Sequence, residues 1–199
     1  MAAKMTNRQL NALETKDAIY RAAIDLFRSK GFEKVSVEDI TRGANTAKGT
    51  FYIYFKSKKD LLFHTFNKFD EIYAQAYEKV KNIPTFEERF LAFIETSYKG
   101  IDERGKEIPK ALYYNSVLEN DPPLLQNRRV LFQTILEMAR FGIETGELNE
   151  SGTPEHYRDL IKIQITGMDY IWCVSTEIPD FAKYARESMR VYLRGLKNL

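Results

Sequence analysis

The chain has 199 residues, 44% of them hydrophobic, which is enough for a sizeable core in one large or two small domains. Its formal net charge of +2 selects no partner, and a single cysteine, Cys173, excludes an intrachain disulfide and a cysteine-built metal cage. No apolar run approaches the roughly 18 residues that span a membrane, and the amino end lacks the apolar core of a signal peptide, so the expected location is cytoplasmic, with no membrane partner.

The charge is unevenly spread. Residues 1–60 hold 12 Lys/Arg against 7 Asp/Glu, net +5, and residues 61–199 hold 18 against 21, net −3. A basic end suits a surface that meets phosphates, although a solvated basic surface gives the same count. Residues 1 to about 12, with Lys4 and Arg8, have weak periodicity and are expected to fray; a minor-groove contact is the sharper reading. From Thr15 the pattern is helical, with Ile19, Ala22, Ala23, Leu26 and Phe27 on one face and Gly31 as a C′ stop. Phe32 and Val35 extend that face, which makes the first helix a support.

Ser36-Val37-Glu38-Asp39-Ile40 is a capping box, with Val35 and Ile40 placed as a hydrophobic staple. A short helix therefore begins at Ser36 and ends near Arg42, where Gly43-Ala44-Asn45 supplies a tight turn. The next helix is expected to start with a hydroxyl cap at Thr46, to carry Lys48 and Gly49 in its first turn, and to crowd Phe51, Tyr52, Tyr54 and Phe55 together. Some seven residues at about 1.5 Å each make it about 10 Å long, which fits end-on into a major groove roughly 12 Å wide. Helix, three-residue turn, helix is the helix-turn-helix arrangement.

The stretch from Ser36 to Leu62, with Thr-Ala-Lys-Gly-Thr-Phe-Tyr-Ile-Tyr-Phe-Lys at its centre, closely resembles the DNA-binding signature of TetR-family transcriptional regulators. The resemblance covers about residues 13 to 65. Asn45-Thr46-Ala47 stands where the family commonly has Gly-Val-Ser, so a serine hydroxyl often used on phosphate is missing at Ala47. The resemblance implies that Lys48, Gly49, Tyr52 and Tyr54 face a groove of double-stranded DNA or its phosphate edges. It places Thr50, Lys56 and Lys58 near the backbone and lets Ser36 and Thr46 offer hydroxyls or helix-terminal amides.

Ser57-Lys58-Lys59-Asp60 is a second capping box, after which Leu62, Phe66, Phe69, Tyr73, Ala76 and Val80 recur at helical spacing to about Lys81. This helix is shared by both regions and can serve either as a lever or as plain core. Thr85-x-x-Glu88 opens another, with Phe86, Phe90, Phe93, Ser97 and Ile101 inward. Pro109 and Asp121-Pro122-Pro123 are expected to start two more. Tyr113, Tyr114, Val117 and Leu118 should face inward from the first, and Phe132, Ile135, Leu136 and Ala139 from the second.

Gly142 to Gly152 is polar and turn-rich. Thr153-Pro154-Glu155 then caps a helix striped with Tyr157, Leu160, Ile161, Gln164, Met168, Ile171 and Trp172, where Gly167 permits close approach. Pro179 opens the last helix, with Phe181, Tyr184, Ala185, Ser188, Tyr192 and Leu196. In TetR-like proteins the final two helices form a four-helix dimer joint. That implies a homodimer held by Leu160, Met168, Ile171, Tyr184 and Tyr192, against the alternative that these stripes pack a monomer core.

A small hydrophobic or aromatic effector would fit between the long helix and the next three, near Phe66, Tyr73, Phe90, Phe93, Tyr113, Tyr114 and Phe132. Aromatic stripes are also ordinary core. Gly100 to Glu107 has phosphate-loop spacing, but it ends in Glu and follows a helical stripe; no His-Glu-x-x-His, nucleophile elbow or dinucleotide turn occurs. His64 and His156 have no ligand-spaced partner, so no catalytic residue, metal or cofactor is assigned. The resulting reading is an all-α protein with a helix-turn-helix DNA-binding domain over residues 1–56 and a helical effector-binding and dimerisation domain over 57–199. It is a repressor released from a palindromic operator by its effector. A regulator of the same fold controlled by a protein partner, or lacking a ligand, fits the same residues.

Overall fold

The computed structural model describes residues 6–197, and every regular element in that span is helical. Lys4 lies outside the described residues. The chain runs through α1 (Asn7–Lys30), α2 (Val37–Gly43), α3 (Lys48–Tyr54), α4 (Lys58–Val80), α5 (Phe86–Asp102), α6 (Glu107–Ser116), α7 (Val130–Glu144), α8 (Pro154–Val174) and α9 (Phe181–Leu196). It divides into two compact units, one formed by residues 6–65 with 107–115 and the other by 66–106 with 116–197.

In the first unit, α1 begins earlier than its apolar periodicity suggests. The Gln9 amide donates to Thr6 Oγ1 (3.3 Å) and the Thr6 amide to Gln9 Oε1 (2.8 Å), a capping box that makes residues 7–12 helical rather than frayed. Ile19, Ala23 and Phe27 are fully buried, and α1 packs on α2 and α3. Gly31, at φ +82, ends α1 in a conformation that a side chain would strain. α2 opens on the Ser36–Asp39 box as its sequence requires, with Val35 and Ile40 buried. The half-buried His64 lies edge-on to Tyr20 (5.7 Å) and Phe55 (5.8 Å), an imidazole packed as an aromatic ring.

The α2–α3 turn corrects one expectation. Thr46 does not cap α3; the cap position is Ala47, which makes no side-chain bond. Asn45 takes φ +51, a left-handed position that asparagine tolerates better than most residues. The Thr46 amide then donates to Thr41 O at 2.9 Å, and the Thr46 hydroxyl oxygen ends buried without a partner. Asn45 and Thr46 stand where the TetR signature has glycine and valine. Asparagine reproduces the glycine geometry, and threonine fills the valine site with a hydroxyl that site does not use.

In the second unit α5 packs chiefly against α9, and α7 against α8. Phe86, Phe90, Phe93, Ser97 and Ile101 are buried, as their spacing predicts. Trp172 stacks on Phe181 (4.3 Å between centroids, 2° between planes), and Tyr98 meets that ring edge-on at 4.7 Å. The Phe86 amide and the Glu87 amide (3.2 Å) donate to the carboxylate of Glu147, so a residue from the α7–α8 turn caps α5. Gly142 lies inside α7 rather than in the turn. A Cβ there would come within 2.9 Å of Leu148 and of the Phe86 ring.

Two boundaries differ from the sequence reading. Asp121-Pro122-Pro123 yields only a 3-10 turn, Pro123–Leu125, because Gln126 Nε2 donates to Asp121 Oδ2 at 2.9 Å and closes a local turn. α7 starts at Val130. In α6 the buried residues are Ile108, Pro109, Ala111, Leu112, Asn115 and Ser116, adjacent pairs recurring at helical spacing along one face. Tyr114 lies off that face and is 62% exposed, while Val117 and Leu118, beyond the helix end, are exposed as well.

Candidate DNA-binding surface

α3 is held by its inner side. Phe51 and, just past the helix, Phe55 are buried, and the two rings lie 5.7 Å apart. Burying one such ring stabilises by roughly 1.5–3 kcal/mol, which fixes the rotation of a helix too short to persist alone. The opposite row is Gly49, Tyr52 and Ile53, at i, i+3 and i+4, and Lys56 follows just beyond the helix end. Tyr52 is 51% exposed and Ile53 76%. A Cβ at Gly49 would meet nothing within 4 Å, so no packing inside the chain demands glycine there.

The predicted residues separate into three groups. Lys48, Gly49, Tyr52 and Lys56 are exposed, and Thr50 and Tyr54 are half-buried at the flanks of the same helix. Lys48 pairs with Glu38 of α2, and hydrogen bonding to that partner moves both groups, lowering the Glu38 pKa and raising that of Lys48. Ser36 is exposed, but its hydroxyl donates to Asp39 Oδ2 at 2.6 Å and accepts from the Asp39 amide at 3.1 Å. What Ser36 contributes is therefore the cap of α2.

Thr46 and Lys58 leave the candidate surface. The Thr46 hydroxyl is buried. Lys58 Nζ donates to the carbonyls of Phe32 (2.7 Å) and Val35 (2.9 Å) and lies 4.2 Å from the centre of the Phe32 ring. Burial lowers its pKa. It pins the α1–α2 corner to the start of α4, a cation satisfied by backbone oxygens rather than one waiting for phosphate. Ile53 is the residue the sequence reading missed. Its signal was the helical spacing from Gly49, outweighed there by the aromatics on either side.

The other predicted sites can be placed unit by unit. Phe66, Tyr73, Phe90, Phe93 and Phe132 are buried in the second unit. Tyr113 and Tyr114 fall in the first unit, and Tyr114 faces solvent. Near the aromatic set, Arg129 pairs with Asp70 at 2.7 Å and lies over the Phe66 ring, its Nε left without a partner. Burial raises the Tyr73 pKa. Lys106, in the phosphate-loop-like stretch, donates to Ser175 O at 2.6 Å and serves as a tie within the fold.

Of the predicted dimer residues, Met168 is buried in its own unit, and Tyr192 donates to Leu160 O at 2.9 Å, with both half-buried. Ile171 and Tyr184 are exposed. So are Ile163, Tyr170 and Val174 on α8 and Val191 on α9, apolar side chains the sequence reading left out. Among the described residues no helix is long and apolar enough to cross a membrane, and no group of three or more His, Cys, Asp or Glu could hold a metal.

Residues 19–65 match the family model described as "Bacterial regulatory proteins, tetR family". The HTH-type transcriptional regulator YvdT of Bacillus subtilis is 48% identical over 46 residues, 23% of this chain and 24% of that protein. This match, like that to the regulator YuxN, spans about a quarter of the relative's length. The fatty acid metabolism regulator protein of B. subtilis is 23% identical over 192 residues, 90% of this chain and 94% of that one. The TetR-family repressor FadR of Thermus thermophilus, solved with lauroyl-CoA, shares the fold, with a TM-score of 0.70 at 22% identity over 91% and 94% of the two chains. The capped helix pair α2–α3 at the amino end has the helix-turn-helix arrangement, and it lies within the residues that match the family model. Residues 19–65 of the chain thus match the DNA-binding domain of the TetR family, and the rest of the chain is similar to regulators of that family in fold.

Proposed function

We propose that the chain is a cytoplasmic, dimeric repressor that grips a palindromic operator and lets go when a small hydrophobic effector enters its second unit. The observation that carries the DNA reading is the outer row of α3, where Gly49, Tyr52 and Ile53 face solvent with no internal reason to be there. Bare backbone permits close approach to a groove, Tyr52 and Ile53 offer apolar contact to thymine methyls, and Lys48 and Lys56 offer charge. A helix of seven residues reads few base pairs, so two copies on half-sites about 34–36 Å apart, or a multiple, would be needed.

The dimer reading rests on the exposed apolar rows of α8 and α9. Ile163, Gly167, Tyr170, Ile171 and Val174 lie on one side of α8; Tyr184, Ser188, Val191 and Gly195 lie on one side of α9. Gly167 and Gly195 meet no neighbour within 4 Å and leave room for a second helix. Ile163 and Val191, 70% and 69% exposed, are costly to leave in water.

For the effector, the whole-length likenesses to a fatty acid metabolism regulator and to a FadR solved with lauroyl-CoA favour a long-chain acyl-CoA. Its chain would lie among Phe66, Tyr73, Phe90, Phe93 and Phe132. Phe93 lies against both Tyr73 and Phe90 here, so entry must part these rings, and coupling of about 1–3 kcal/mol would change DNA affinity some 5–150-fold. Footprinting on the DNA flanking the gene, with and without lauroyl-CoA, tests both halves. A protected palindrome that is lost on adding lauroyl-CoA is expected. Protection that lauroyl-CoA leaves unchanged would refute the acyl-CoA effector, and absence of any protected site would refute the DNA reading.

A further inference from the structure

The first unit contains a cavity of about 270 Å³ that α3 does not line. Its apolar walls come from Gly31 and Phe32 at the α1–α2 corner and from Ala111 and Tyr114 on α6. The Phe32 ring is fixed from two directions, edge-on to Phe27 at 5.0 Å and under the Lys58 ammonium. The Gly31 face is open, since a Cβ there would meet nothing within 4 Å. Ala111 presents only a methyl, and Tyr114, though attached to a well-packed helix, keeps most of its ring in water.

Lys30, Lys34 and Lys110 line the same cavity against Glu33 and Glu107. Among the described residues none of these five makes an ion pair. Three unpaired ammonium groups on one small concave surface repel one another, with one positive charge left over after the two carboxylates. A cavity of about 150 Å³ already accepts benzene, so this volume suits a single or fused aromatic ring carrying a small group. We propose that this cavity is a second small-molecule site, which takes a flat aromatic monocarboxylate with its ring against Phe32 and Tyr114 and its carboxylate among the lysines. The site joins α6 to the α1–α2 corner of the DNA-binding head. It stands independently of the effector reading, because all of its residues belong to the first unit.

The test is a titration of the full chain with 2-naphthoate, followed by calorimetry and by the chemical shift of the Gly31 amide, with 2-naphthalenemethanol as the uncharged counterpart. A saturating Gly31 shift is expected, with the alcohol binding at least about tenfold more weakly. The double variant Lys34→Glu, Lys110→Glu should weaken naphthoate by about tenfold or more, and Ala111→Trp should abolish binding. Tyr114→Ala, at an exposed position that folding does not need, should weaken it as well. No saturating shift at millimolar naphthoate, equal binding of acid and alcohol, or unchanged binding in the charge-reversed and Tyr114→Ala variants would each overturn the proposal.

Discussion

Replacing Gly49 by alanine sets stability and DNA binding against each other. The added methyl meets nothing within 4 Å inside the chain, and the residue is helical. Glycine in a helix costs roughly 0.5–1 kcal/mol relative to alanine, so Gly49→Ala should stabilise by up to about that amount. In a chain of this size such a gain raises Tm by about 1–4 °C. On DNA the same methyl would stand between the α3 backbone and the surface it approaches, and a loss of about 1–3 kcal/mol, or some 5–150-fold, is expected. Paired melting curves and operator titrations at one salt concentration read both numbers. Wild-type operator affinity in a stabilised Gly49→Ala chain would refute the close approach of α3. A lower Tm would refute the open environment from which the gain is reasoned.

Lys58→Met removes the two hydrogen bonds to the Phe32 and Val35 carbonyls and should cost about 1–3 kcal/mol, while the salt dependence of DNA binding stays at the wild-type slope; a slope reduced by about one would return Lys58 to the phosphates. Glu38→Gln frees Lys48 and removes a negative charge beside α3, so affinity for unrelated DNA should rise, and an unchanged affinity would show that the pair has no part in binding. Val191→Glu places a charge in the unpartnered row of α9 and should give a folded monomer by light scattering, whereas a persisting dimer would move the interface elsewhere. Burial opposes ionisation of Glu147, but the Phe86 and Glu87 amides and Lys197 outweigh it and hold its carboxyl below the ordinary 4.5. Its contribution is therefore present above that unfolded value and lost as pH falls through the lower folded one, and Glu147→Gln should flatten the acid side of the stability curve.

What could be read from the sequence were the features closed within a few residues. The Ser36–Asp39 box and the Thr85 and Thr153 caps are local bonds between residue types that favour them, and each opens the helix its spacing predicts. The apolar row from Leu62 to Val80 is buried throughout for the same reason, since helical periodicity leaves it one side to hide. The α6 face was misassigned because two rows compete in a short helix. Tyr113 and Tyr114 carry more apolar area than Ala111 and Leu112, yet the smaller residues form the row that closes.

The candidate site divides along the same line. Gly49 and Tyr52 follow from the rotation that Phe51 and Phe55 impose, and so does Ile53 once that rotation is fixed. Lys58 does not follow, because its role depends on carbonyls 23 and 26 residues earlier that meet it only after α1, α2 and α4 have assembled. Nothing in Ser-Lys-Lys-Asp distinguishes an ammonium that will lie on an aromatic ring from one that will face phosphate. A lysine directly after a helix cap in a basic segment can therefore be assigned to DNA only when its ammonium has no internal acceptor. By that test Lys56 remains in the candidate surface, Lys48 remains with a partner to exchange, and Lys58 belongs to the scaffold that ties the α1–α2 corner to the first turn of α4.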